Sequence, residues 1–170
     1  VFPVICCYSG LAEVRPFVLP SSLEGKTVTG LKGSALRDCA SITSIHIPAS
    51  ITNIESGLSL PCRFTSLTVA SDNKVFHVTS NILIDYQGTA VVAAYPNFLT
   101  AASQWTLPSE LKQIGPAAFY SRVPTCKSIV IPEGVSNICE SAFAGCWGVG
   151  SIKLPSTLVH IGSDAFYAVD

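Results

Sequence analysis

The stretch Ile129-Val130-Ile131-Pro132-Glu133-Gly134-Val135-Ser136-Asn137-Ile138-Cys139-Glu140-Ser141-Ala142-Phe143-Ala144-Gly145-Cys146 decides the fold, because its apolar residues recur elsewhere in the chain at the same offsets. Setting Pro155 on Pro132 brings Leu158, Ile161, Ala165 and Phe166 over Val135, Ile138, Ala142 and Phe143 without a gap. Setting Pro108 there does the same for Leu111, Ile114, Ala118 and Phe119. The repeat reads Ile-x-Ile/Leu-Pro-x-x-Val/Leu-x-x-Ile-x-x-x-Ala-Phe. A period of about 23 residues is the mark of a stacked solenoid, in which each coil buries its apolar side only against its neighbours.

The pattern also says how a coil folds. The two apolar residues before each proline alternate with one outward residue, as a strand requires. Proline then fixes φ and withholds a donor, so it closes the strand and turns the chain. Successive strands are expected to lie parallel in one sheet. The Val/Leu, Ile and Ala-Phe positions past the proline point back inward, and Phe119, Phe143 and Phe166, with Leu36 and Leu58, are expected to form one spine.

Working outward, the strand before Pro20 carries Val14, Phe17 and Leu19, with Cys7 and Tyr8 in the Ala-Phe slots of a preceding turn. Val1-Phe-Pro-Val-Ile-Cys-Cys therefore reads as repeat and not as the tail of a signal peptide, since it lacks a basic start. An insertion at Ser21 to Thr27 precedes recovery of register at Val28, Leu31, Ala35, Leu36 and Cys39, and Ile42, Ile45, Ile47 and Pro48 follow. Ile51, Ile54, Leu58, Phe64, Leu67 and Val69 supply the next coil, with Ala70 where proline is expected. The interval near 71–104 is too long for one repeat. Its centre, Asn81 to Pro96, holds two β-rich runs around Tyr86-Gln87-Gly88-Thr89, which signals an inserted hairpin. Residues 1–170 are thus expected to form a single solenoid segment. Neither end reads as a polar cap, so the array is expected to continue in both directions.

Composition removes several classes of function. Only 12% of residues are charged and 48% are hydrophobic, so the chain is packed and its surface is rich in hydroxyls. Ten basic residues stand against eleven acidic ones. This leaves no basic footprint for nucleic acid or anionic lipid. No apolar run is long enough for a spanning helix, so membrane insertion by this segment is not expected. The seven cysteines form no Cys-x-x-Cys pair. Their thiols read as buried small hydrophobes, with a Cys139–Cys146 or Cys6/Cys7 disulfide as the other reading. His46, His77 and His160 have no carboxylate or cysteine at a catalytic or metal-binding spacing. Gly148-Val149-Gly150 lacks the third glycine of a dinucleotide loop. Asp85 and Asp164 read as turn residues. No catalytic residue, metal site or cofactor is expected.

The Ile-x-x-x-Ala-Phe units, the Cys146 to Pro155 segment and the Asn81-Ile-Leu-Ile-Asp85 to Tyr95-Pro96 interruption together resemble BspA-like, treponeme-type leucine-rich repeats. The resemblance implies a leucine-rich-repeat solenoid with a parallel β-sheet on one face and short helical or irregular turns on the other. It also implies a cell-surface or secreted protein that adheres to host matrix proteins, such as fibronectin, or to other cells. It carries no catalytic residues to transfer. The insertion after Pro20, Ala70 in place of proline and Cys126 in a leucine slot depart from the pattern.

Counting two and four residues back from each repeat proline gives the outward side of the sheet: Ser44 and His46, Ser66 and Thr68, Gln104 and Thr106, Ser128 and Val130, Ser151 and Lys153. Such a face is either solvated and inert or a surface for a protein or glycan ligand. Tyr120 and Trp147 are candidate aromatic anchors, although burial in the core is the favoured reading for either. Non-enzymatic macromolecular recognition is the expected function. An intracellular, cytoplasmic structural or assembly scaffold is the alternative, and an enzyme built on the coil comes third.

Overall fold

The computed structural model describes residues 15–33, 35–36, 42–55, 65–93, 103–121, 123 and 126–169. The Val1 to Val14 coil, Cys6, Cys7, Cys39, Leu58, Cys62, Phe64 and Tyr95-Pro96 lie outside the described residues. In chain order the strands of the first half are β1 (Arg15–Val18), β2 (Ser22–Leu23), β3 (Lys26–Thr27), β4 (Gly30–Leu31), β5 (Ile42–Ile47), β6 (Asn53–Ile54) and β7 (Ser66–Val69). The insertion follows as β8 (Phe76–Thr79), β9 (Ile82–Asp85) and β10 (Thr89–Ala93). The second half holds β11 (Gln104–Thr106), β12 (Gln113–Ile114), β13 (Ser128–Val130), β14 (Asn137–Ile138), β15 (Ile152–Lys153) and β16 (His160–Ile161).

The strands before the repeat prolines pair in parallel with the expected phase. Ile45 aligns with Leu67, and Trp105 with Ile129 and then Ile152. All of these residues point inward, and Ile45, Leu67, Trp105 and Ile129 are buried. On the far side of the coil the irregular, non-helical alternative holds, with more pairing between coils than expected. Among the described residues there is no helix, and short strands form instead. Gln113 aligns with Asn137 and His160, and Ile114 with Ile138 and Ile161, as a second parallel ladder; β4 and β6 make its counterpart in the first half. The physical reason is backbone satisfaction: tight turns close only some of each coil's bonds internally, as Ala118 N–H does on the Gly115 carbonyl, and the remaining polar groups pair with the coils on either side. Thus Cys139 N–H donates to the Ile114 carbonyl at 2.9 Å and Gly162 N–H to that of Ile138 at 2.7 Å. The insertion after Pro20 is a small antiparallel pair, β2 with β3, turning at Glu24 and Gly25, both at positive φ.

The expected hairpin is β9 with β10. Asp85 Oδ1 accepts from the N–H groups of Gln87 and Thr89 at 2.9 and 2.8 Å, which holds its turn. β8 adds a third antiparallel strand through Ser80 and Asn81, whose φ values of 51° and 64° suit a two-residue hairpin turn. Thr89 and Ala90 then pair in parallel with Gln113 and Ile114, so the insertion supplies the first rung of the second ladder.

One sheet was expected along the pre-proline strands, and two are found: β1-β5-β7 and β11-β13-β15. β7 is finished by a side chain. Asn81 Oδ1 accepts from Leu67 N–H at 3.2 Å, and its Nδ2 donates to the Thr65 carbonyl at 2.6 Å, replacing bonds that a following strand would make.

The core divides at the same place. Leu19, Leu31, Leu36, Ile45, Ile51, Leu67 and Phe76 belong to one apolar cluster, and Trp105, Phe119, Ile129, Ile138 and Phe143 to another. β9 is buried on both sides, giving Leu83 to the first cluster and Ile82 and Ile84 to the second. Alternation along a strand explains this division. Leu36 accordingly packs in the first core and not on the Phe119, Phe143 and Phe166 spine.

Candidate recognition surfaces

Strand periodicity positions the ten outward residues. Ser44 lies beside Ser66 and His46 beside Thr68; Gln104 lies beside Ser128, Thr106 beside Val130, and Val130 beside Lys153. Thr68, Gln104, Thr106, Ser151 and Lys153 are exposed, and Ser44, His46, Ser66, Ser128 and Val130 are half-buried. The split sheet places Ser44, His46, Ser66 and Thr68 on one face and the other six on another.

The hydroxyls on these faces also bind coil to coil. Thr68 Oγ1 lies 3.0 Å from His46 Nδ1 and donates to the Ile45 carbonyl at 3.4 Å. Because that hydroxyl has one proton, His46 Nδ1–H is the donor to it. Ser151 Oγ donates to the Lys127 carbonyl at 3.5 Å. The faces offer neutral donors and acceptors at strand spacing, with Lys153 as the one charge among the ten.

Two further surfaces were not recovered by counting from the prolines into the strand. Outside the second ladder, Gln113 Nε2 donates to Thr89 Oγ1 at 3.4 Å and Asn137 Nδ2 to Gln113 Oε1 at 3.0 Å, with His160 next in register. The same counting carried forward past Pro108, Pro132 and Pro155 finds all three coil positions. At the Ala-Phe corner, Tyr120 and Trp147 are 53% and 60% exposed, so the burial reading fails for both, and Tyr167 at 69% joins them. Each corner turns tightly through the residue before its alanine, and Ala117, Ser141 and Asp164 all have φ of 53°. The ring of the following Phe goes inward; the side chain after it leaves the core at Tyr120 and Tyr167 and stays buried at Ala144, and Trp147 emerges three residues further on.

Cys126, Cys139 and Cys146 are free, which removes the Cys139–Cys146 disulfide. Burial pushes the Cys126 and Cys139 thiols up, keeping them protonated and poorly nucleophilic. The buried Cys146 thiol donates to the Phe119 carbonyl at 3.2 Å. His77 is engaged by Glu110 at 3.1 Å. Among the described residues no three His, Cys, Asp or Glu side chains converge as metal ligands. No described helix is long and apolar enough to cross a membrane.

No curated protein matches the chain. Among solved structures it is similar in fold to the pneumococcal vaccine antigen PcpA, with 19% identity and a TM-score of 0.65 over 80% of this chain and 33% of that one. It is similar also to a leucine-rich repeat protein from Bacteroides ovatus, with 22% identity and a TM-score of 0.50 over 87% of this chain and 36% of that one. The chain thus spans about a third of each. The sequence model for the BspA type leucine rich repeat region matches residues 7–83 and 97–170, missing only the chain's start and 84–96, which hold the end of β9 and all of β10. With that match over most of its length and the coil register seen in the strands, the chain belongs to the BspA-type leucine-rich repeat family.

Proposed function

We propose that this chain is a non-enzymatic recognition module, displayed on a cell surface or secreted, that binds a protein on host matrix or neighbouring cells through its pre-proline strand faces. The observation that carries the reading is the register of the outward residues. Gln104, Ser128 and Ser151, with Thr106, Val130 and Lys153, form two mostly uncharged rows along three parallel strands, Ser151 standing just ahead of β15. Uncharged hydroxyls and amides lose little on desolvation when each meets a partner, so such a face suits a specific, weakly salt-dependent contact. BspA-type repeat regions typically belong to surface proteins engaged in protein recognition, which supports the location. The free thiols favour a second reading, an intracellular scaffold, because reducing compartments preserve them.

Antibody labelling of intact against permeabilised cells separates the two, and labelling only after permeabilisation would overturn the surface reading. For the face itself, binding to immobilised fibronectin and to intact host cells is compared for the native chain and the Thr106→Lys, Ser128→Lys pair. At least one native interaction is expected, falling about tenfold or more in the variant, as when charge is forced into a complementary contact. Native binding unaffected by the pair would exclude this face.

A further inference from the structure

We propose that the corner formed by Tyr120, Trp147 and Tyr167 is a separate binding site for an uncharged oligosaccharide. The coils stack directly there: Phe119 N–H donates to the Ala142 carbonyl, Phe143 N–H to that of Ala165, Ser121 N–H to that of Ala144, and Gly145 N–H to that of Tyr167. Tyr120, Ala144 and Tyr167 therefore occupy successive rungs. The two tyrosines are two coils apart, roughly 10 Å at strand spacing. Trp147 lies over the missing side chain of Gly145, where a Cβ would come within 3.6 Å of the indole Nε1 and 2.5 Å of Ser121 Oγ. The indole N–H and the Ser121 hydroxyl thus flank the same glycine, on the coil between those of the two tyrosines.

These rings serve no purpose within the coil. Phe119, Phe143 and Phe166 stack inside it, whereas Tyr120, Trp147 and Tyr167 make no ring contact and no side-chain hydrogen bond among the described residues. Each offers solvent an open π face and an unpaired polar group. The face of a pyranose ring has the matching chemistry: its C–H bonds are weakly positive and meet the negative π face, and its hydroxyls meet phenol, indole N–H and Ser121 Oγ. Charge supports a neutral ligand, because 117–121, 142–150 and 165–169 contain no charged residue and the charges that adjoin them in sequence, Arg122, Asp164 and Asp170, are of both signs. Geometry disfavours a protein partner here. Ala144 and Gly145 separate the rings, so they do not form the packed central pocket on which a protein hot spot depends. An extended sugar chain, by contrast, advances by about one unit per rung and can place alternate units on the two tyrosines.

The experiment titrates the chain with glucose-, mannose- and N-acetylglucosamine-based hexasaccharides and their disaccharides. Trp105 is 5% exposed, so a change in indole emission reports Trp147. One series is expected to shift the emission, with the hexasaccharide binding more tightly than its disaccharide. By calorimetry, Tyr120→Ala, Trp147→Ala and Tyr167→Ala are each expected to weaken binding about three- to tenfold, the loss of one stacking partner. Their exposure leaves the melting transition close to native. The proposal is overturned if no hexasaccharide binds at millimolar concentration, if binding survives the triple variant, or if the triple variant loses a protein ligand instead. The Thr106→Lys, Ser128→Lys pair is expected to retain sugar binding, so failure of the strand-face reading leaves this site standing.

Discussion

The rings of Phe119 and Phe143 lie nearly parallel, 4.7 Å between centroids and 11° between planes, although they belong to different coils. Phe166 continues the stack at 5.6 Å, and Trp105 closes it edge-on against Phe119 at 5.7 Å. Phe143, fully buried at the centre, has a ring on both sides. Phe143→Ala is expected to cost about 3–5 kcal/mol, against about 0.5 kcal/mol or less for the exposed Lys153→Ala. Thermal melts of the two variants check this, and equal shifts would contradict the register.

Asn73 secures the entry to the insertion. Its Nδ2 donates to the carbonyls of Pro48 and Ile51, both at 3.0 Å, and its Oδ1 accepts from the N–H groups of Val75 and Phe76 at 2.8 and 2.9 Å. With a net contribution of about 0.5–1.5 kcal/mol per bond, Asn73→Ala is expected to cost about 2–4 kcal/mol in urea denaturation. A loss below about 0.5 kcal/mol would show that the insertion holds its place without this side chain.

Gly115 is needed for close approach. A Cβ there would lie 2.6 Å from the Ala90 carbonyl oxygen, a backbone atom of the rung where β10 joins the coils. At Gly30 the nearest atom would be at 3.5 Å, an ordinary contact. Gly115→Ala is therefore expected to destabilise by about 1–3 kcal/mol through overpacking, while Gly30→Ala is neutral or slightly stabilising. Paired denaturation curves distinguish the two.

Two carboxylates link stability to pH. Ser156 holds Glu133 below the usual carboxylate range, its N–H donating to both oxygens at 3.1 Å and its hydroxyl to one at 2.9 Å. Glu110 is lowered first by Thr79 and then by His77. Both folded-state pKa values are depressed, so their stabilisation is present above the unfolded carboxylate pKa and is lost as pH falls through the folded values. The melting temperature is expected to drop on acidification below about pH 4, and less steeply in a Glu110→Gln, Glu133→Gln variant. Parallel acid titrations of the two proteins would refute the linkage.

The regular coils were legible because the repeat is a local code. Pro108, Pro132 and Pro155 mark where strands end, and inward residues at fixed offsets from them had to align once the coils stacked, as Ile114, Ile138 and Ile161 do. The outward phase of Gln104 and Thr106 followed from strand alternation. The hairpin turn at Tyr86 to Thr89 was legible for the same reason, since its polar residues sit between two β-rich runs.

What only the tertiary structure decided lies where one side chain answers to a distant partner. No periodicity says that Asn81 completes β7 in place of a strand, that β9 feeds both cores, or that coil turns pair as a second ladder. These depend on which unpaired backbone groups meet across coils. The aromatic corner is similar: an exposed tyrosine and a buried one look alike in sequence, and only the inward turn of Phe119 and Phe166 leaves Tyr120 and Tyr167 facing out. The sequence alone therefore determined the coil, its period and its inward residues, through sterics and apolar burial within one repeat. The division into two sheets and the surfaces left open to a ligand were set by contacts between coils.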